Sequence, residues 1–249
     1  MQSPWTVHDP VPLLGERVID AVRAVLPGRA LAAVALATGG AGAPAPPPGG
    51  WDCVAESLSA AVGAEVVARP AAALAALGEG TASDGEGGDV LYVVADVPVM
   101  AASVVDGDLV IGADGIAGTV GTLRFVPPGH AGVSGLRSLD DVVAEVLAHT
   151  LDRRRHREAG RHLGAAIAVL GAVLAPRTVV IAARPPLGAD YLAGVREVVY
   201  SRMPPSRTLG MDVRLAALDP DVAAGLGGSS LLRRMHPSPD CAEGAYSAQ

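Results

Sequence analysis

The segment Asp106 to Phe125, DGDLVIGADGIAGTVGTLRF, carries the densest set of groups able to contact a ligand. An Asp-Gly turn and a strand lead into a glycine-rich turn, in which Gly118 is followed by two hydroxyls, Thr119 and Thr122. Hydroxyls so placed can exchange hydrogen bonds with a small polyol, and they can equally satisfy backbone groups of their own turn. Gly50-Trp51 offers an aromatic face for a sugar ring, although a Trp after a Pro-Gly loop more often anchors that loop to the core. Arg153-Arg154-Arg155-His156-Arg157 with Arg161 could meet a phosphate. In an acidic chain, a solvated face with ion pairs to Asp152 and Glu158 is the simpler reading. His149 and His156 can share a helix face, but without a third ligand at metal spacing no zinc site is expected. Gly132-Val133-Ser134-Gly135 is one residue short of a nucleophile elbow, and Gly39-Gly40-Ala41-Gly42 runs into prolines rather than a helix. Serine hydrolase and dinucleotide-loop readings therefore both fail.

Composition narrows the chemistry further. All 19 basic residues are Arg, and neither Lys nor Asn occurs, which excludes a P-loop lysine, a Schiff-base lysine and any Asn amide. A net charge of -7 argues against broad nucleic-acid binding. With 249 residues, half of them hydrophobic, the chain can bury a sizeable core as one two-lobed domain or two small ones. The longest apolar run, Leu163 to Ala175, is shorter than the roughly 18 residues a membrane span needs and reads as a buried helix. Asp9 and Glu16 leave no compact apolar run for a secretory signal. Cys53 and Cys241 form no framework and read as free thiols in a reducing cytoplasm.

The elements that must position these groups alternate. Helical spacing marks residues 12–26. A continuous apolar run at 30–38 reads as a buried strand, and a Pro-rich loop follows at 41–50. Val54, Leu58 and Val62 mark a helix and 65–68 a strand. A helix follows at 70–79, with Pro70 in its first turn, and then a flexible acidic loop at 81–88. Strands are predicted at 89–97, 101–105 and 108–112, with Asp106-Gly107 as a hairpin turn. Ser138-Leu139-Asp140-Asp141 reads as a capping box opening a helix to about 151. A long helix at 157–175, a strand at 178–183, a helix at 189–202, a strand at 211–218 and a helix at 220–234 complete an α/β order. Three regions are predicted: an N-terminal lobe over 1–88, a C-terminal lobe over 89–235, and a disordered tail over 236–249.

The Asp106–Phe125 segment resembles the central signature of the ROK family of repressors and sugar kinases, in which a strand precedes Gly-Ala-x-Gly-x-Ala-Gly-Glu-Ile-Gly-His. Other pieces occur in the family's order: Gly50-Trp51-Asp52, Ala75-Ala76-Leu77-Gly78-Glu79, Gly160 to Leu174, Pro176 with Val179-Val180-Ile181, and Ala223-Ala224-Gly225-Leu226-Gly227. The resemblance implies an α/β, actin-like (ribonuclease H-like) fold of two lobes, here with an abbreviated N-terminal lobe because the family's opening Asp-x-Gly-Gly-Thr strand has no counterpart after Met1.

The departures from the family pattern fall on the chemistry. Thr119 and Thr122 stand where the family places a sugar-binding Glu and a His. Ala71 stands at the general-base Asp, and a methyl group accepts no proton. The phosphate loop reads Ala95-Asp96-Val97-Pro98-Val99-Met100-Ala101, with an imide and a carboxylate in place of glycines. The adenine-side glycine pair reads Ala182-Ala183, and of the family's zinc ligands only His130 is present.

These departures predict a domain without catalytic residues, cofactor or zinc. Its ligand-cleft candidates are Gly50, Trp51, Ala71, Gly118, Thr119 and Thr122. The expected role is a sugar-effector or dimerisation module of the transcriptional-regulator kind, homodimeric and cytoplasmic. DNA would be contacted only through a segment or partner outside this chain. A sugar kinase with displaced catalytic groups and a purely structural interaction module are the alternatives.

Overall fold

The computed structural model describes residues 20–21, 24, 32–39, 50–84, 88–112, 118–125, 136–148, 152–184 and 187–237. Two compact units divide between residues 71 and 72 and again between 227 and 228, so the second unit is a continuous run flanked by both parts of the first. The boundary expected at 88/89 thus lies inside the second unit.

In the first unit, β1 (Ala33–Thr38) pairs in parallel with β2 (Glu65–Pro70), in register from Ala33 opposite Glu65 to Thr38 opposite Pro70. Helix α1 (Gly50–Val62) connects them. Side chains alternate along each strand, so Val34 and Leu36 share a face with Val66 and Ala68 and meet Val54, Ala55 and Leu58 of the helix. Gly63, at φ +68°, ends α1 by donating its N–H to the Ser59 carbonyl. Asp20, Ala21 and Ala24 are helical; the remainder of the 12–26 prediction and the Pro-rich stretch lie outside the described residues.

The second unit is built on a five-stranded sheet in the order β5-β4-β3-β8-β9. Strand β3 (Val90–Val94) lies antiparallel to β4 (Met100–Val105), and β4 antiparallel to β5 (Asp108–Val110). On its other side β3 runs parallel to β8 (Thr178–Ala182), and β8 parallel to β9 (Asp212–Leu215). Asp106 and Gly107, at φ 50° and 81°, make the tight turn that the Asp-Gly pair predicts.

One sheet face, through Leu91, Val93, Val179, Ile181 and Val213, packs on α3 (Leu139–Ala148), α4 (Arg153–Leu174) and α5 (Ala189–Arg202). On the other face lies α2 (Ala71–Asp84), where Gly80 faces Val90. Helix α7 (Pro220–Met235) crosses α2 with backbone against backbone, because Gly78 leaves room for Ala223 and Gly227 for the Leu74 carbonyl.

Several boundaries differ from the sequence reading. Pro70 ends β2 rather than entering the helix. Helix α2 runs on through Thr81–Asp84, with the Thr81 hydroxyl donating back to the Leu77 carbonyl, where a loop was expected. Helix α4 starts at Arg153 rather than 157, because Asp152 caps it by accepting the N–H groups of Arg154 and Arg155. Strand β3 stops at Val94 and β9 spans only Asp212–Leu215. The short α6 (Pro205–Thr208) and the pair β6 (Arg124–Phe125) and β7 (Arg137–Ser138) carry too little periodicity to be read in advance.

The buried helix read from the apolar run Leu163 to Ala175, α4, packs chiefly against α5. Gly160 and Gly194 let the two backbones touch, each facing a carbonyl of the opposite helix, Tyr191 and Arg157 respectively. Among the described residues no helix is long and apolar enough to cross a membrane.

Candidate functional site

The candidate ligand segment is held against β4. Gly118 accepts the Ala101 N–H at 2.7 Å, and Thr119 forms a bridge with Met100. Gly118 sits at φ +101°, and a Cβ there would overlap the Ala101 carbonyl oxygen, so both conformation and contact demand glycine. Gly121 is buried, while Thr119 and Thr122 are exposed, placing two hydroxyls on the surface of one rigid turn. The preceding residues 113–117 lie outside the described residues.

The other candidates belong to the first unit. Gly50 opens α1 at φ +75°, and Trp51 packs against the Val54, Leu58, Val66 cluster, which is the anchor contact. Ala71 opens α2 directly after β2. The six candidates therefore form two groups, Gly118, Thr119 and Thr122 on one turn of the second unit, and Gly50, Trp51 and Ala71 in the first.

In an open α/β sheet, ligands sit beyond the carboxyl ends of the parallel strands. Here those ends carry charge. Beyond β3, Ala95 donates to the Ala182 carbonyl at 2.7 Å, Val97 to the Asp96 carboxylate at 2.8 Å, and Val99 to the Asp140 carboxylate at 2.7 Å. Pro98 supplies no N–H. Beyond β9, Asp219 accepts the Asp221 N–H at 2.9 Å at the start of α7. Beyond β8, Arg184 meets Asp221 at 2.7 Å. Partial burial lowers the Arg184 pKa, but the hydrogen bond and charge of Asp221, with Asp219 and Asp96 behind it, outweigh this and leave it raised.

Beneath this edge, Glu79 is fully buried on α2. It accepts the Leu218 N–H at 2.8 Å and meets Arg214 of β9 at 3.1 Å. Tyr92, on the same layer, is fully buried; burial first, then the Glu79 charge, hold its phenol above its ordinary pKa, so it stays protonated.

The arginine run is an ion-paired surface. Arg155 pairs with Asp152 and Glu145, Arg153 with Asp190, and Arg157 and Arg161 with Glu197. Asp152 is the partner the sequence indicated. The others come from α3 and α5 and replace the expected Glu158, because the helix begins a turn early and aims the guanidinia at its neighbours. His156 is half-buried on α4, while His130 and His149 lie outside the described residues. No group of three His, Cys, Asp or Glu side chains among the described residues could hold a metal ion.

Sequence reasoning missed Asp140 as a tertiary ligand and Arg184 altogether. Arg184 could have been found as the cation directly after the strand predicted at 178–183. Asp140 had no such signal, since its partner Val99 lies 41 residues away.

With this geometry in view, the class of fold is defined: an α/β actin-like ATPase fold of the ROK type. No protein-family model and no curated protein matches the chain. Solved structures do match it. A ROK family transcriptional regulator, a homolog of the E. coli MLC protein, is similar with a TM-score of 0.66 at 15% identity, over 90% of this chain and 68% of that one. A ROK family glucokinase from Streptomyces griseus, in complex with glucose and AMPPNP, gives 0.63 at 19% identity, over 90% and 88%. A ROK hexokinase from Thermus thermophilus gives 0.55 at 21% identity, over 73% and 71%. The fold is that of ROK kinases and repressors alike.

Proposed function

We propose that this chain is a non-catalytic ROK-type domain, a sugar-effector or dimerisation module of the transcriptional-regulator kind. The observation that carries this reading is the fate of the backbone donors at the carboxyl edge of the sheet. Val97, Val99 and Asp221 each give their N–H to a carboxylate of the chain itself. In a kinase of this fold, donors there would serve nucleotide phosphates. Asp96, Asp219 and Asp221 face a single guanidinium, Arg184, so the local charge repels a polyphosphate. Ala71, opening α2, cannot act as a base.

The exposed Thr119 and Thr122 support a retained polyol contact. Among the fold neighbours, the Streptomyces griseus glucokinase holds glucose, and a ROK family protein from Streptococcus pneumoniae holds sucrose. Glucose and sucrose are therefore the first effectors to try. The module acts as a homodimer in the cytoplasm, and any DNA contact comes from another segment or partner. Val169 and Val173, exposed one turn apart on α4, suit a surface covered by a second copy.

The test is direct. Protein incubated with ATP and glucose, mannose or an N-acetylated hexosamine is expected to show no turnover above a no-enzyme control, and calorimetry no binding of AMPPNP. Turnover that disappears in Thr119→Val/Thr122→Val would overturn the reading. Light scattering at micromolar concentration is expected to give a dimer mass.

A further inference from the structure

Asp140 occupies an unusual place. It lies in the first turn of α3, where a carboxylate ordinarily serves the helix end, yet that end is already capped: Ser138 Oγ accepts the Asp141 N–H at 3.1 Å. Asp140 turns outward instead. Its Oδ1 accepts the Val99 N–H at 2.7 Å, at the tip of the β3–β4 hairpin. Its own N–H donates to the Gly121 carbonyl at 2.9 Å, and the neighbouring Leu139 N–H donates to the Leu123 carbonyl at 3.1 Å. Gly121 also packs directly on the carboxylate, where a Cβ would occupy the position of the Asp140 oxygens.

Three stretches distant in sequence therefore meet at one residue, the hairpin tip through the Asp140 carboxylate, the turn carrying Gly118, Thr119 and Thr122 through the Asp140 N–H and the packing of Gly121 on the carboxylate, and the first turn of α3 itself. Val99 is fully buried, so its N–H has no water to fall back on when the carboxylate leaves. The geometry points to Asp140 as a positioning residue, an internal anion that makes these three stretches open and close as one unit. A ligand engaging Thr119 or Thr122 would thereby bias both the hairpin tip and α3. This use of the turn rests on the effector reading above; the interlock does not, and its test uses no ligand.

The size of the carboxylate is specified as well. Asn keeps an acceptor of the same reach. Glu adds a methylene for which Gly121 leaves no room. A methyl at residue 121 must push the Asp140 carboxylate off Val99, so Gly121→Ala should reproduce the loss of Asp140 without touching it.

Amide hydrogen exchange on the full chain tests this. In Asp140→Ala, exchange at Val99, Ala101, Leu123 and Leu139 is expected to rise together by about tenfold or more, the loss of a charge-assisted hydrogen bond, with β8 and α5 unchanged. Asp140→Asn should restore most of the protection, Asp140→Glu should not, and Gly121→Ala should behave as Asp140→Ala. Faster exchange confined to Asp141, Val142 and Val143 would reduce Asp140 to a helix-end residue and overturn the interlock. Equal protection in Asp140→Ala and wild type, or in Asp140→Glu and Asp140→Asn, would overturn it too.

Discussion

Replacing Glu79 by Ala removes a carboxylate with no solvent exposure whose partners include the Leu218 N–H at 2.8 Å and the Arg214 guanidinium at 3.1 Å. Breaking a buried ion pair by deleting one member costs about 3–5 kcal/mol, because the remaining charge stays desolvated. The Arg214 side chain is 24% exposed and keeps Asp212 at 3.7 Å, so water and that carboxylate relieve part of the penalty and the lower end applies. The orphaned Leu218 N–H adds about 1 kcal/mol, placing Glu79→Ala at about 3–4 kcal/mol. Glu79→Gln retains an acceptor for Leu218 and the side-chain volume, and should cost about half as much. The informative variant is Glu79→Leu with Arg214→Met: with both charges gone, no stranded ion remains, and the loss should fall to about 1 kcal/mol or less. The chain has two compact units that need not unfold together, so the assay is urea unfolding followed by amide exchange within α2 and β9. A double variant as destabilised as the sum of its singles would refute the reasoning. So would a Glu79→Ala chain within about 0.5 kcal/mol of wild type, the range of an ordinary surface change.

Gly194→Ala should destabilise the second unit by about 1–3 kcal/mol or more, since its Cβ would overlap the Arg157 carbonyl oxygen, and backbone cannot swing aside; unchanged thermal unfolding would show that α4 and α5 can part freely. Glu197 has its carboxyl pKa lowered, chiefly by the hydrogen bond from Arg161; burial opposes this, and the hydrogen bond from Arg157 with the charges of both arginines keeps the net shift downward. Its folded pKa is below the unfolded value, so its contribution is complete above the ordinary Glu range and disappears as pH falls through the depressed value. The thermal-stability difference between wild type and Glu197→Gln should therefore be present near pH 7, shrink on acidification, and be weaker in high salt; a difference that grows on acidification would contradict this.

The fold was legible because its signals are local and repeated. The continuous apolar runs within 89–97 and 178–183 read as strands, and the Asp106-Gly107 pair specified its turn through two positive φ angles that few other residue pairs adopt. The boundaries that failed were set by single side-chain contacts. Asp152 moved the start of α4, and the Thr81 hydroxyl carried α2 into an apparent loop. Hydrophobic periodicity says nothing of either. At the candidate site, sequence exposed the residue types themselves, a methyl at Ala71 and an imide without an N–H at Pro98, because a letter is visible in a string. It did not expose the contacts formed there. The Val99–Asp140 bond exists only once α3 is docked beside the hairpin tip, and the Arg184–Asp221 pair only once β8 ends where α7 begins.

The carboxyl edge of the sheet shows how backbone donors can be satisfied by the chain's own carboxylates. Buried backbone donors must be satisfied, and at this edge the Val99 N–H, which no strand partner reaches, is taken by the Asp140 carboxylate. A helix start such as that of α7 favours negative charge, and Asp219 and Asp221 supply it from within the chain. The result resists simple reversal. Glycine at residue 98 would return one N–H, yet Asp96, Asp219 and Asp221 would still surround an Arg184 that is already paired. A triphosphate would have to displace carboxylates held by covalent linkage at very high effective concentration, a competition that free ligand loses unless several of them are neutralised at once. The charge at this edge is therefore a property of the whole set, Asp96, Asp219, Asp221 and Arg184 together, and no single substitution would open it to a polyphosphate.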